Sequence, residues 1–95
     1  MTASEYWKVY LLECSDGSLY CGAAKDVPGR LDMHNAGKGA KYTRSRLPVK
    51  LVAESFEMPK NEALRLEWHI KKQPAVDKIK KLRAYGVAHK TGDAY

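Results

Sequence analysis

Hydrophobic positions in this chain change their period several times, and each change marks an element. Residues 7–14 form an apolar, β-prone run that reads as a strand, and residues 19–23 form a shorter one. Between them stands Ser15-Asp16-Gly17-Ser18, a hairpin signal. A two-residue Asp16-Gly17 loop would set Tyr10 and Tyr20 on opposite faces of the hairpin. A three-residue loop with Gly17 left-handed instead pairs Cys14 with Ser18, Leu12 with Tyr20 and Tyr10 with Gly22. One face then carries Trp7, Val9, Leu11, Leu19, Cys21 and Ala23, and the other carries Tyr10, Leu12, Tyr20 and the gap at Gly22. The three-residue loop segregates the side chains better and is the expected one.

A helix follows over 27–36, with Asp26 as N-cap, Pro28 in the first turn and Gly37 as the stop, although Gly29 weakens it. At about 100° per residue, Val27, Arg30, Leu31 and His34 share one face of it. Residues 37–46 read Gly-Lys-Gly-Ala-Lys-Tyr-Thr-Arg-Ser-Arg, a basic loop whose glycines admit close approach of the backbone to a ligand. Leu47-Pro48 ends it, and residues 49–56 resemble a third strand. A helical period then runs over 61–73, stopping before Pro74, and a second, basic helix is expected over 75–85. The chain reads as a lead at 1–6, one domain at 7–85 and a loose tail at 86–95.

The helix at 61–73 contains one anomaly. With Ala63 at zero, Leu66 and Ile70 lie within about 60° of it, and Leu64 and Trp68 extend the apolar arc to about 100° and 140°. Glu67 falls at about 40°, inside that arc, whereas Glu62, Arg65, His69 and Lys72 cluster on the far side. A carboxylate among core positions costs several kcal/mol unless it is paired or ligates a cation. Glu67 therefore reads either as an i,i+4 ion pair with Lys71 or as a metal-binding or catalytic group. Tyr10 and Tyr20 fit ordinary strand packing equally well, and Arg30 with His34 fits an ordinary helix edge.

Composition narrows the choice of partner. Ninety-five residues make one domain, and 44% hydrophobic with 29% charged residues is a globular balance. Lys and Arg total 17 against 11 acids, a net charge of +6. That excess points to a polyanion, nucleic acid first and an anionic membrane surface second. No apolar run approaches the roughly 20 residues of a membrane span, and the first residues lack signal-peptide regions, so a cytoplasmic protein with no membrane partner is expected. Two cysteines cannot build a disulfide scaffold, and His34, His69 and His89 lack zinc-ligand spacing. The Gly-Lys loop lacks Walker A spacing, which argues against a nucleoside triphosphate. Its charges are either solvated or form phosphate contacts from Lys38, Lys41, Arg44 and Arg46, with Tyr42 interleaved for stacking. Lys78, Lys80, Lys81 and Arg83 fit a solvated face or an extension of that footprint.

Taken in order, these features resemble the GIY-YIG nuclease domain. Lys8-Val9-Tyr10 is similar to its first motif, Tyr20-Cys21-Gly22 to its second, Arg30-Leu31 with His34-Asn35 to its helix motif, and Glu67 to its later carboxylate. The stretch 37–43, with Glu62-Ala63 and Ile70-Lys71-Lys72, most resembles the small stand-alone bacterial (YhbQ-type) members. The resemblance spans about residues 7–83 and implies an α+β fold, a small three-stranded antiparallel sheet flanked by helices. It also implies a DNA endonuclease, structure-specific or non-specific, in DNA repair or processing. One Mg²⁺ or Mn²⁺ ion would be held by Glu67. Tyr10 would be the general base or a proton relay, Tyr20 would orient water or phosphate, Arg30 would stabilise developing charge and His34 would assist proton transfer. The alternative is a nucleic-acid-binding module that uses the fold without turnover. Two departures matter. The first motif lacks its glycine and isoleucine, and Ala23 stands where the family's excision-repair branch has lysine, so activation of the tyrosine passes to another group, His34.

Overall fold

The first two apolar runs form a hairpin of β1 (Tyr6–Glu13) and β2 (Leu19–Ala24). Its turn has the expected three-residue form. The Cys14 amide donates to the Ser18 carbonyl at 2.8 Å, the Gly17 amide to the Cys14 carbonyl at 2.9 Å, and Gly17 sits at φ 85°. Tyr10 consequently lies opposite Gly22 and Leu12 opposite Tyr20. In the computed structural model, which describes residues 6–88, β3 (Lys50–Ser55) pairs antiparallel along the other edge of β1 with a register shift between Leu11 and Leu12.

The sheet is larger than the three strands expected. β4 (Met58–Pro59) pairs with Tyr6 and Trp7, and β5 (Gly86–Ala88) pairs antiparallel with β3, giving the order β2-β1-β3-β5 with β4 on β1. The expectation of a loose tail from residue 86 is thereby corrected at its start. A side chain at Gly86 would collide with the Glu54 carbonyl, so glycine lets this strand approach, and the Phe56 amide donates to the Tyr85 carbonyl at 2.7 Å. The remaining tail at 89–95 and most of the lead, 1–5, lie outside the described residues.

Four helices flank the sheet: α1 (Val27–Asn35), α2 (Lys41–Arg44), α3 (Lys60–Lys71) and α4 (Ala75–Arg83). On one face, Val9, Leu11, Cys21, Val52 and Ala53 pack against Ala63, Leu66 and Ile70 of α3 and Leu82 of α4. On the other, Tyr10, Leu12 and Cys14 pack with Val27 of α1, Ala24 and Val49. Leu11, Leu12, Ile70 and Leu82 are fully buried, each worth about 1.5–3 kcal/mol of transfer free energy. The architecture is α+β, and the two faces carry the side chains that the hairpin register requires.

Two expectations change at this level. Leu64 and Trp68 are exposed rather than part of the core, because α3 buries only the narrow Ala63-Leu66-Ile70 stripe; the Lys72 ammonium lies 3.9 Å from the Trp68 ring centre instead. The basic stretch at 37–46 is not an open loop. It contains α2, whose Thr43 is fully buried and donates its hydroxyl to the Ala40 carbonyl at 2.9 Å.

Candidate active site

The site begins with a missing side chain. A Cβ on Gly22 would fall 2.5 Å from the Tyr10 hydroxyl, so the phenol lies across the space that glycine leaves in β2. Tyr10 is 2% exposed, and the Tyr20 ring lies 6.4 Å away at 46°. Opposite the phenol stands α1, started by Asp26, whose carboxylate accepts from the Gly29 amide at 3.1 Å. A side chain at Gly29 would strike that carboxylate, so the glycine that weakens the helix also permits its cap. The helix presents His34, 1% exposed, with Nε2 3.0 Å from the Tyr10 hydroxyl.

After α1 the chain reverses at Gly37, φ 78°, and passes directly beneath the imidazole. A Cβ on Gly39 would collide with His34 Nδ1, and Thr43 Oγ1 lies 2.8 Å from the same nitrogen. Burial and, secondarily, the Arg30 guanidinium hold His34 below the usual imidazole range, which keeps it neutral near pH 7. Burial pushes the Tyr10 phenol well above its ordinary range; Tyr20 adds to this, Arg30 opposes it and Glu67 adds again. Tyr20 is also raised, chiefly by burial.

A cavity of about 260 Å³ opens between these elements. Tyr10, Tyr20, Arg30, His34 and Glu67 all line it, joined by Lys38 and the backbone of Gly22 and Gly39. The five candidate catalytic residues, drawn from β1, β2, α1 and α3, thus meet around one space. Glu67 makes the ion pair of its first reading and also stands at the cavity. Its carboxylate lines the cavity, and its Oε2 lies 2.9 Å from the Lys71 ammonium. That contact is the main reason Lys71 sits above the usual lysine range. No group of three or more metal-ligating side chains occurs among the described residues. One hard carboxylate oxygen donor on a water-accessible cavity fits a Mg²⁺ or Mn²⁺ ion that keeps most of its water, provided Lys71 yields.

The candidate DNA contacts divide into two groups. Lys38 reaches the cavity, and Lys41 and Arg44 are exposed. Arg46, expected to contact phosphate, is engaged within the fold. Its Nε donates to Asp16 Oδ2 at 3.0 Å, and its Nη1 donates to the Tyr42 carbonyl at 2.8 Å. Tyr42, expected to stack on bases, already stacks with Tyr20 at 6.2 Å and carries the Arg46 guanidinium 3.9 Å from its ring centre. Both brace α2 against the hairpin turn. Sequence reasoning missed Thr43 and Gly39 as partners of His34; a threonine in a basic stretch carries no signal of that contact. A wider cleft of about 420 Å³, lined by Met58, Leu66, Trp68 and Tyr85 with Glu62, Arg65 and His69, does not include the tyrosine, arginine and Glu67 groups of the smaller cavity.

Known proteins resemble this chain along most of its length. Residues 6–80 match the model of the GIY-YIG catalytic domain. A UPF0213 protein of Nitratidesulfovibrio vulgaris is 43% identical over 93 residues, covering 98% of this chain and 80% of the relative. A UPF0213 protein of Staphylococcus aureus (strain Mu3) is 48% identical over 75 residues, covering 79% of this chain and 92% of its own. The solution NMR structure of UPF0213 protein BH0048 from Bacillus halodurans is 44% identical, with a TM-score of 0.51, covering 85% of this chain and 86% of that one. With the matched region running from β1 through most of α4, and with small stand-alone relatives along most of its length, the chain belongs to the GIY-YIG family.

Proposed function

We propose that this chain is a divalent-metal-dependent endonuclease that hydrolyses DNA phosphodiester bonds in repair or processing, without base specificity, in the cytoplasm. The observation that supports it is the meeting of Tyr10, His34, Arg30 and Glu67 at one cavity. Glu67 would hold one Mg²⁺ or Mn²⁺ ion, which supplies Lewis-acid stabilisation of phosphoryl charge when bound. Arg30 and Lys38 bind the non-bridging oxygens and stabilise their developing charge. Tyr10 takes a proton from the attacking water while passing its own to His34 Nε2. The water oxygen bonds to phosphorus, the bond to the leaving sugar oxygen breaks, and that oxygen receives a proton from solvent. In this relay the phenol need not ionise beforehand, because it gives its proton to a neutral imidazole as it takes one from water. Tyr20 orients the water or the phosphate.

One observation favours the second reading, a binding module without turnover: Glu67 is already paired with Lys71. Turnover separates the two. Purified protein with Mn²⁺ or Mg²⁺ is expected to nick single-stranded and branched DNA. Arg30→Ala should reduce the rate about 100- to 1,000-fold, and Glu67→Ala should abolish it. Salt-sensitive binding without cleavage, unchanged in Glu67→Ala, would establish the binding module instead.

A further inference from the structure

We infer that Thr43 is a positioning residue that fixes the tautomer of His34, leaving Nε2 bare toward the Tyr10 hydroxyl. Its catalytic consequence rests on the nuclease reading above; the tautomer itself does not. The argument follows the hydrogens. A threonine hydroxyl has one proton, and Thr43 sends it to the Ala40 carbonyl, which can only accept, at 2.9 Å. Toward His34 Nδ1, 2.8 Å away, Thr43 Oγ1 is then an acceptor, so Nδ1 carries the hydrogen. A neutral imidazole with Nδ1–H has a bare Nε2, and the group facing it at 3.0 Å is the Tyr10 hydroxyl, which donates. The Ala40 amide also points at Nδ1, from 3.4 Å, a contact that would suit a bare Nδ1; at that length it is the weaker of the two.

The local fold supports this arrangement. Thr43 is 0% exposed and His34 1%, so their contact is shielded from bulk water. Gly39 permits the contact, because any side chain there would strike the imidazole. The basic stretch thus delivers a hydroxyl to the far side of the ring while Lys41 and Arg44 stay exposed. The chain of donors runs from Tyr10 through His34 and Thr43 to the Ala40 carbonyl. In the opposite tautomer Nε2 would carry hydrogen and could not take the phenol's proton.

Long-range proton–nitrogen NMR of the full chain reads the tautomer directly, with the His34 signals identified by their loss in His34→Gln. The expected spectrum has a protonated Nδ1 and an unprotonated Nε2 at pH 7.5. Thr43→Val, which keeps the shape and removes the hydroxyl, should erase that preference. It should also lower kcat for DNA cleavage by about 10- to 100-fold with KM little changed, and Thr43→Ser should restore both. An Nε2–H tautomer in the unmodified chain, or a Thr43→Val spectrum identical to it, overturns the inference. If Thr43→Val does not fold, the spectra of the unmodified chain and of Thr43→Ser still decide, since both must show Nδ1–H. A chain with the expected tautomer but no cleavage supports the inference and overturns only the nuclease reading.

Discussion

At the scale of single residues, the site is built by what glycines omit and by what one histidine is denied. Gly22 and Gly39 leave space on either side of a Tyr10–His34 pair that fills it, and burial keeps the imidazole neutral. That neutrality makes stability depend on pH with a definite sign. The folded chain binds the His34 proton only below the ordinary pKa of 6.5, whereas the unfolded chain binds it at that value. Between those pKa values the unfolded state holds more protons, so stability is full above pH 6.5 and falls as pH drops through and below it. The slope is at most about 1.4 kcal/mol per pH unit. Urea unfolding of the native chain and of His34→Gln, at pH 7.5 and pH 5.5, measures this; the variant should lose most of the difference between the two pH values. Strand alternation and helical period placed Tyr10, Tyr20, Arg30, His34 and Glu67 on their faces, but only the buried-face carboxylate stood out by pattern; the resemblance to the GIY-YIG domain is what grouped the five. Thr43 was not legible, because its contact with His34 depends on how residues 37–43 fold back, a tertiary event with no periodicity.

At the scale of elements, regular patterns were read well and short ones were not. The hairpin, α1, α3 and α4 have caps, turns or amphipathic periods long enough to register. α2 spans four residues, β4 two and β5 three, and each is held by contacts distant in sequence rather than by propensity. Width was misjudged too: α3 buries only the Ala63-Leu66-Ile70 stripe and leaves Trp68 outside. The α3–α4 junction carries a specific load. Lys78, which the sequence offered to solvent or DNA, folds back so that its ammonium donates to the carbonyls of Ile70 at 3.1 Å, Lys71 at 2.9 Å and Gln73 at 2.8 Å. These are carbonyls at the end of α3, where a cation also complements the helix dipole. Lys78→Met keeps the stem and removes the cap. It should cost about 1–3 kcal/mol and lower Tm by several degrees, with little effect on DNA affinity. Calorimetry alongside a binding titration measures both; an unchanged Tm with weakened binding would restore Lys78 to the DNA footprint.

At the scale of the whole molecule, the net charge of +6 is spent unevenly. Lys8 pairs with Glu54, Lys50 with Glu13, Lys71 with Glu67 and Arg46 with Asp16, while Lys78 caps a helix. Of the basic stretch, Lys38, Lys41 and Arg44 remain exposed, and Lys38 lines the cavity beside Arg30. Part of the excess is therefore left at that stretch, with Lys80, Lys81 and Arg83 also exposed on α4, and the four basic residues of 37–46 should behave differently when neutralised. A cation that meets a phosphate releases counterions, so its loss flattens the salt dependence of binding by about one unit in log K against log salt. A cation committed to the fold affects stability instead. Lys38→Ala, Lys41→Ala and Arg44→Ala should each flatten that slope, roughly additively and regardless of DNA sequence, with Tm unchanged. Arg46→Ala should leave the slope alone and lower Tm, since it frees the hairpin turn from α2 and uncovers Tyr42. Fluorescence titrations across a salt series, with melting curves for the same variants, test this partition. A slope change for Arg46→Ala equal to the other three would mean that its guanidinium leaves Asp16 when DNA arrives, and that the brace and the binding surface are the same residue.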